Sequence, residues 1–146
     1  MAFPTNRTPT TRPTARAAVC LALALLYAAA GVLHLVLPAP FIVITPPWVP
    51  APAMVILLTG LAELAGAAGL AQPFSPALRR AAGWGLAAYA LCVWPANVQH
   101  MLLDLARPGR GLGLAYHVPR LAAQPLLIWA ALWSSGAIRP GTRRAA

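Results

Sequence analysis

Four stretches of mostly apolar residues constrain this chain more than anything else in it. Each is about as long as the roughly 20 residues that an α-helix needs to cross a bilayer. They are residues 17–37, interrupted by His34; 53–71, carrying Glu63; 81–105, with Asn97, Gln99, His100 and Asp104 toward its end; and 121–138, with Gln124 near its start. Charge points the same way: 9% of the 146 residues are charged, against roughly 25% in an ordinary soluble domain. An apolar content of 60% excludes a disordered chain. The expectation is an all-α protein, a four-helix transmembrane bundle with an apolar, Pro-rich outer loop between the first and second helices. Residues 17–138 form the membrane domain, 1–16 a disordered basic tail and 139–146 a second basic tail.

A cleaved signal peptide is the alternative for the first stretch. Arg7, Arg12 and Arg16 precede an apolar run with Ala28-Ala29-Ala30 as a cleavage site. The apolar run continues to Leu37, and three further stretches follow, so the chain is a membrane protein in either case.

The net charge of +9 comes from eleven Arg, no Lys, and two acids, Glu63 and Asp104. The Arg residues sit at segment ends and in the tails, which suits topology and anionic lipid head groups. No basic run is interleaved with aromatics, so nucleic acid is not an expected partner; the lipid bilayer is. Abundant Ala and Arg without Lys point to a GC-rich bacterial genome. Eight Arg fall on the side of the two tails and the 79–80 loop, three on the other side. That asymmetry puts both termini in the cytoplasm and the chain in the bacterial cytoplasmic (inner) membrane.

Cys20 and Cys92 lie apart inside apolar stretches and read as small buried hydrophobes. The 38–52 loop holds six of the sixteen prolines, so no long helix fits there. Its apolar residues Phe41, Ile42, Val43, Ile44, Trp48 and Val49 are expected to lie in the membrane interface or fold back over the bundle mouth. The 105–120 loop is Gly-rich and basic, and is expected to be flexible.

Ionisable residues inside hydrocarbon are costly and face the bundle interior. Glu63 falls near mid-span, with Thr59 and Ala67 on its helix face. Ala62 and Gly66 form a small-xxx-small pair for helix contact. Glu63 serves either as an interhelical tie or as a proton-accepting or hydrogen-bonding group for a polar ligand. Asn97, His100 and Asp104 line one helix face, with Asp104 placed to hold the His100 ring. Pro95 frees the Leu91 carbonyl and favours a kink. His34 is either an imidazole bonded to backbone or a ligand contact. With Trp48 in the outer loop and Gln124 entering from the same side, the polar groups converge on the outer half of the bundle. A metal held by His34, Glu63 and His100 lacks any HxxxH or HExxH spacing, and no metal is expected. No Ser-His-Asp arrangement stands out.

Several segments together resemble the DoxX-like family of small bacterial four-span membrane proteins. They are Ala30-Gly31-Val32-Leu33-His34, Pro46-Pro47-Trp48-Val49-Pro50, Thr59-Gly60 with Glu63 and Gly66, Trp94-Pro95-Ala96-Asn97-Val98, and Arg120-Leu121 with Gln124-Pro125-Leu126-Leu127-Ile128-Trp129. The order and spacing agree from about residue 28 to 133. After Arg120-Leu121 this chain has Ala122-Ala123 where the family pattern has an apolar residue and a proline. The resemblance implies a four-helix transmembrane bundle associated with membrane redox or quinone metabolism, without an assigned activity.

The leading expectation is an accessory membrane protein that binds a lipophilic ligand, a quinone as possible cofactor, or a membrane redox partner protein. The candidate ligand-binding residues are His34, Trp48, Glu63, Asn97, His100 and Gln124. A purely structural or assembly subunit is the second reading. A quinone-linked oxidoreductase subunit is the third, although no haem pair, flavin site or CxxC supplies electrons. No catalytic residue is assigned.

Overall fold

The structure, a computed structural model, describes residues 14–109 and 111–138. Of the tails expected at 1–16 and 139–146, residues 1–13 and 139–146 lie outside the described residues. Five helices follow in order: α1 (Ala15–Val36), α2 (Pro38–Val43), α3 (Pro52–Ala71), α4 (Pro76–Ala106) and α5 (Gly113–Ser135). No strand occurs among the described residues.

Local chemistry sets most boundaries. Thr14 caps α1, its hydroxyl accepting the Ala17 N–H, so Ala15 and Arg16 are helical rather than part of the tail. Leu37 precedes Pro38 and is forced out of helical geometry, which ends α1. Pro38, Pro52 and Pro76 each stand in the first turn of a helix, where the missing N–H costs nothing. The Gln72 side chain bonds the Gly69 and Ser75 carbonyls and the Ser75 N–H, stitching the α3–α4 turn. The Ser75 hydroxyl then caps α4. Gly136, in left-handed geometry, closes α5.

α1 packs most extensively on α3, and α4 on α5; α3–α4 and α1–α5 contacts close the ring. Neighbouring long helices run antiparallel, which leaves α2 at one end of the bundle. At the opposite end, Arg16 donates to the Trp133 carbonyl through Nε (2.7 Å) and Nη2 (2.6 Å), tying the start of α1 to the last turn of α5. α1 and α3 meet where Gly31 faces Gly60: a Cβ on Gly31 would lie 2.8 Å from the Gly60 carbonyl oxygen. The buried core of Cys20, Leu23, Ala24, Tyr27, Ala67, Leu70, Leu86 and Ala131 fills the half away from α2.

α1 and α3 are long and apolar enough to cross a membrane by length and composition. Large apolar side chains are exposed on every long helix, among them Leu25, Leu58, Leu91 and Leu126. Cys92 is exposed rather than buried, and only Cys20 behaves as the expected core residue. α4 reaches 31 residues, about 46 Å at 1.5 Å per residue.

One connection differs from expectation and the other follows it. Residues 113–120, read as a flexible loop, form the first two turns of α5, so the connection shrinks to a short turn. Pro119 and Pro125 sit inside that helix and are tolerated there. The 38–52 loop does fold back over the bundle mouth, with Phe41, Ile44, Thr45, Trp48 and Val49 over a cavity. Its first six residues make α2, and Ala51 takes a left-handed φ of 46° just before α3.

Candidate functional site

Under that loop lies a cavity of about 400 Å³, bounded by all four long helices and walled mostly by apolar side chains. Its polar floor is built on Glu63, 3% exposed in the middle of α3. Burying a carboxyl group is costly unless it finds partners. Glu63 finds a donor on α4 and a close polar neighbour on α1. Tyr89 of α4 donates its hydroxyl to Oε1 at 2.7 Å. His34 of α1 brings Nδ1 to 2.8 Å from Oε2.

His34 Nδ1 also lies 2.9 Å from the Ala30 carbonyl oxygen, one turn earlier. A carbonyl can only accept, so the proton belongs on Nδ1 and Nε2 is the free ring nitrogen. That N–H is aligned with the carbonyl, and Glu63 Oε2 sits beside it without a well-aligned donor. The imidazole stacks on Phe41 with ring centroids 3.9 Å apart, so α2 holds the ring from the far side.

Asn97 and Gln124, each 7% exposed, bring amides into the cavity from α4 and α5. Gln124 Oε1 and the Tyr27 hydroxyl are buried without a hydrogen-bond partner. Tyr27 packs edge-on against Tyr89 at 6.1 Å. Thr59 shares the Glu63 face as expected, but its hydroxyl is taken by the Ile56 carbonyl (2.8 Å). Trp48, 71% exposed, stands at the rim. The arrangement can hold a molecule with an apolar body and a hydrogen-bonding head.

Five of the six expected residues therefore share one cavity: His34, Trp48, Glu63, Asn97 and Gln124. His100 does not. It lines a neighbouring cavity with Tyr116 and Arg107, while Arg120 borders both. Tyr27 and Tyr89 were missed by sequence reasoning. Their only signal was a hydroxyl within an otherwise apolar run.

His100 belongs to a second polar cluster, centred on Asp104 (2% exposed). Asp104 Oδ2 accepts from His117 Nε2 at 3.0 Å and from the Leu112 N–H at 3.1 Å; Oδ1 accepts from Arg107 at 3.1 Å. The expected His100–Asp104 contact is longer, 3.6 Å. His117, placed in a loop by the sequence, is fully buried in α5 and takes the carboxylate instead. Gly111 has φ +53°, and a Cβ there would lie 2.5 Å from the Asp104 carboxyl carbon, so the turn wraps directly onto this side chain. Arg120 Nη1 donates to His100 Nδ1 at 3.1 Å.

His100, Asp104 and His117 place one ligand atom each within 4.8 Å of one another, and they are the one such group among the described residues. His34, Glu63 and His100, the trio set aside in the sequence, are not among such groups. The donor set suits hydrogen bonding better than a cation. Arg120 donates into His100 Nδ1, which puts the ring proton on Nε2, the nitrogen facing Asp104. Two guanidinium groups stand against the cluster, and a backbone N–H already occupies the carboxylate.

Residues 23–135 match the model of a family described as a domain of unknown function (DUF8561), a span that takes in both polar clusters. No curated protein and no solved structure matches the chain.

Proposed function

This chain belongs to the DUF8561 family, a domain of unknown function, and from that premise we propose that it is a small multi-pass membrane protein holding a lipophilic ligand in the cavity above Glu63. The observation that carries this is the convergence of His34, Glu63, Tyr89 and Asn97, with the unpartnered Gln124 Oε1 and Tyr27 hydroxyl, inside apolar walls. Ligand sites are concave and mostly apolar, with a few convergent polar groups.

In this reading α4 and α5 cross the bilayer beside α1 and α3. Asn97, Asp104, His117 and Gln124 are buried in the bundle, and the exposed Trp84, Leu91, Leu126 and Trp129 face lipid. The Arg asymmetry sets both termini in the cytoplasm of a bacterium, with the cavity in the outer half. The DoxX-like resemblance adds membrane redox metabolism and makes a quinone the ligand class to test first. The chain then acts as an accessory subunit linked to membrane redox or quinone metabolism.

Native mass spectrometry of the protein, gently extracted from its host membrane, tests this. The expected result is a discrete added mass of quinone type that Glu63→Gln and Asn97→Ala lose without loss of expression. Equal retention by both variants would sink the proposal. A second reading, an assembly subunit without ligand, draws on one observation: Glu63 already bridges α1, α3 and α4 through His34 and Tyr89. It predicts a bare chain or an added protein mass.

A further inference from the structure

The second cavity, about 360 Å³, lies at the α2 end between α2, α4 and α5. Phe41 and Val43 supply an apolar side; His100, Arg107, Tyr116 and Arg120 supply a polar one. The charges there do not balance. Asp104 is the nearby acid, and its oxygens are taken by His117, Leu112 N–H and Arg107. Glu63, the chain's other acid, lies in the first cavity, with Tyr89 donating to Oε1 and His34 beside Oε2. Arg120 forms no ion pair among the described residues. Its hydrogen bond goes to the His100 ring, an uncharged acceptor, and its guanidinium lies 5.9 Å above the Tyr116 ring. A guanidinium carries five N–H donors in a fork that fits two oxygens of a phosphate. Arg120 therefore offers a charge and unused donors to a cavity whose other wall is apolar.

We infer that this cavity seats the phosphate of an anionic phospholipid on Arg120 and Arg107, with the acyl chains against the apolar side formed by Phe41 and Val43. The occupant must carry negative charge, because two cations face one already satisfied carboxylate. It must also carry hydrocarbon, because Val43 is 61% exposed next to the polar groups. Basic pockets between transmembrane helices bind anionic lipid head groups; in the orientation proposed above, this one meets the outer leaflet. Tyr116, 44% exposed, sits where an amphipathic ring favours the membrane interface. The inference rests on the membrane reading above, but not on the cavity over Glu63 or on the nature of its ligand.

The test uses the full chain in mild detergent, delipidated until native mass spectra show it bare. It is then titrated with phosphatidylglycerol and, separately, with phosphatidylcholine. One phosphatidylglycerol should be retained in preference to phosphatidylcholine, and Arg120→Gln should lower that retention about fivefold, the scale of one basic side chain at an anionic lipid. Arg107→Gln should weaken it in the same direction, and covers the case in which Arg120→Gln fails to fold, since the Arg107 side chain is 59% exposed. Millimolar inorganic phosphate should leave the lipid bound. Equal retention of the two lipids, or a preference unchanged in the folded variants, overturns the inference. Displacement by inorganic phosphate overturns the lipid source and assigns a free-anion site. Carbonate washing of host membranes separates the premise: a chain released into the supernatant refutes the membrane reading itself.

Discussion

His117 of α5 donates from Nε2 to Asp104 Oδ2 of α4 at 3.0 Å, joining residues 13 apart across a turn that holds Gly109, Gly111 and Gly113. The bond is buried on both sides, with His117 fully enclosed and Asp104 2% exposed. It draws the first turns of α5 against the end of α4, where the sequence reads as a flexible loop. The carboxylate also takes the Leu112 N–H, so one side chain organises the turn and the start of the next helix.

Asp104→Asn should therefore destabilise the protein by about 1–3 kcal/mol, because it weakens three hydrogen bonds and leaves buried donors poorly matched. Thermal unfolding in detergent reads this directly. An unchanged midpoint would show that the cluster is not structural.

Tyr89→Phe removes the donor to Glu63 Oε1 and leaves a buried acceptor unpaired. A loss of about 1–3 kcal/mol is expected from that alone. Adding Glu63→Leu in the same chain should recover part of the loss, since replacing both partners by apolar groups removes the unpaired acceptor. A double-mutant cycle on unfolding midpoints checks the coupling.

Gly60→Ala should separate α1 from α3. Its Cβ would fall 2.9 Å from the His34 Cβ and 3.1 Å from the Gly31 carbonyl oxygen, contacts that only helix displacement relieves. The expected cost is about 1–3 kcal/mol of overpacking, together with loss of cavity ligand as His34 moves off Glu63. Gly85→Ala, which meets nothing within 4 Å, is the matched control and should change neither.

Cysteine labelling tests whether α4 crosses the bilayer. Cys92 is exposed in the third quarter of α4, and Cys20 is buried. In intact membranes a lipid-soluble maleimide should modify Cys92, and a charged, impermeant one should not. Cys20 should react only after denaturation. Labelling of Cys92 by the impermeant reagent would refute a lipid-facing α4.

The helical plan was legible because its causes are local. Apolar runs of the right length mark the starts of α1 and α3 within two residues and of α4 within five, at Pro76 rather than Ala81. α5 is the exception, beginning at Gly113 rather than at Leu121. The error had a physical source: glycines and Pro119 argue for a loop one residue at a time, whereas the His117–Asp104 bond acts across the turn and outweighs them. Cys92 was misplaced for a related reason. An all-apolar helix has no periodic stripe to say which face is outward.

Glu63 and Asp104 were conspicuous as the two acids in a chain of 146 residues, and each does centre a buried polar cluster. Isolated charge in an apolar run carries its own warning, since it must find partners. The sequence alone thus determined an all-helical chain, the places where helices stop, and the residues whose burial would demand company. Which company they keep was decided by the tertiary structure. Tyr89 reaches Glu63 and His117 reaches Asp104 because helix packing sets which side chains meet, while His100 is turned toward Arg120 and a separate cavity. Spacing along a helix fixes a shared face within that helix; the partner across the gap depends on how the neighbouring helix is rotated, and uniformly apolar helices do not write that rotation into their sequence.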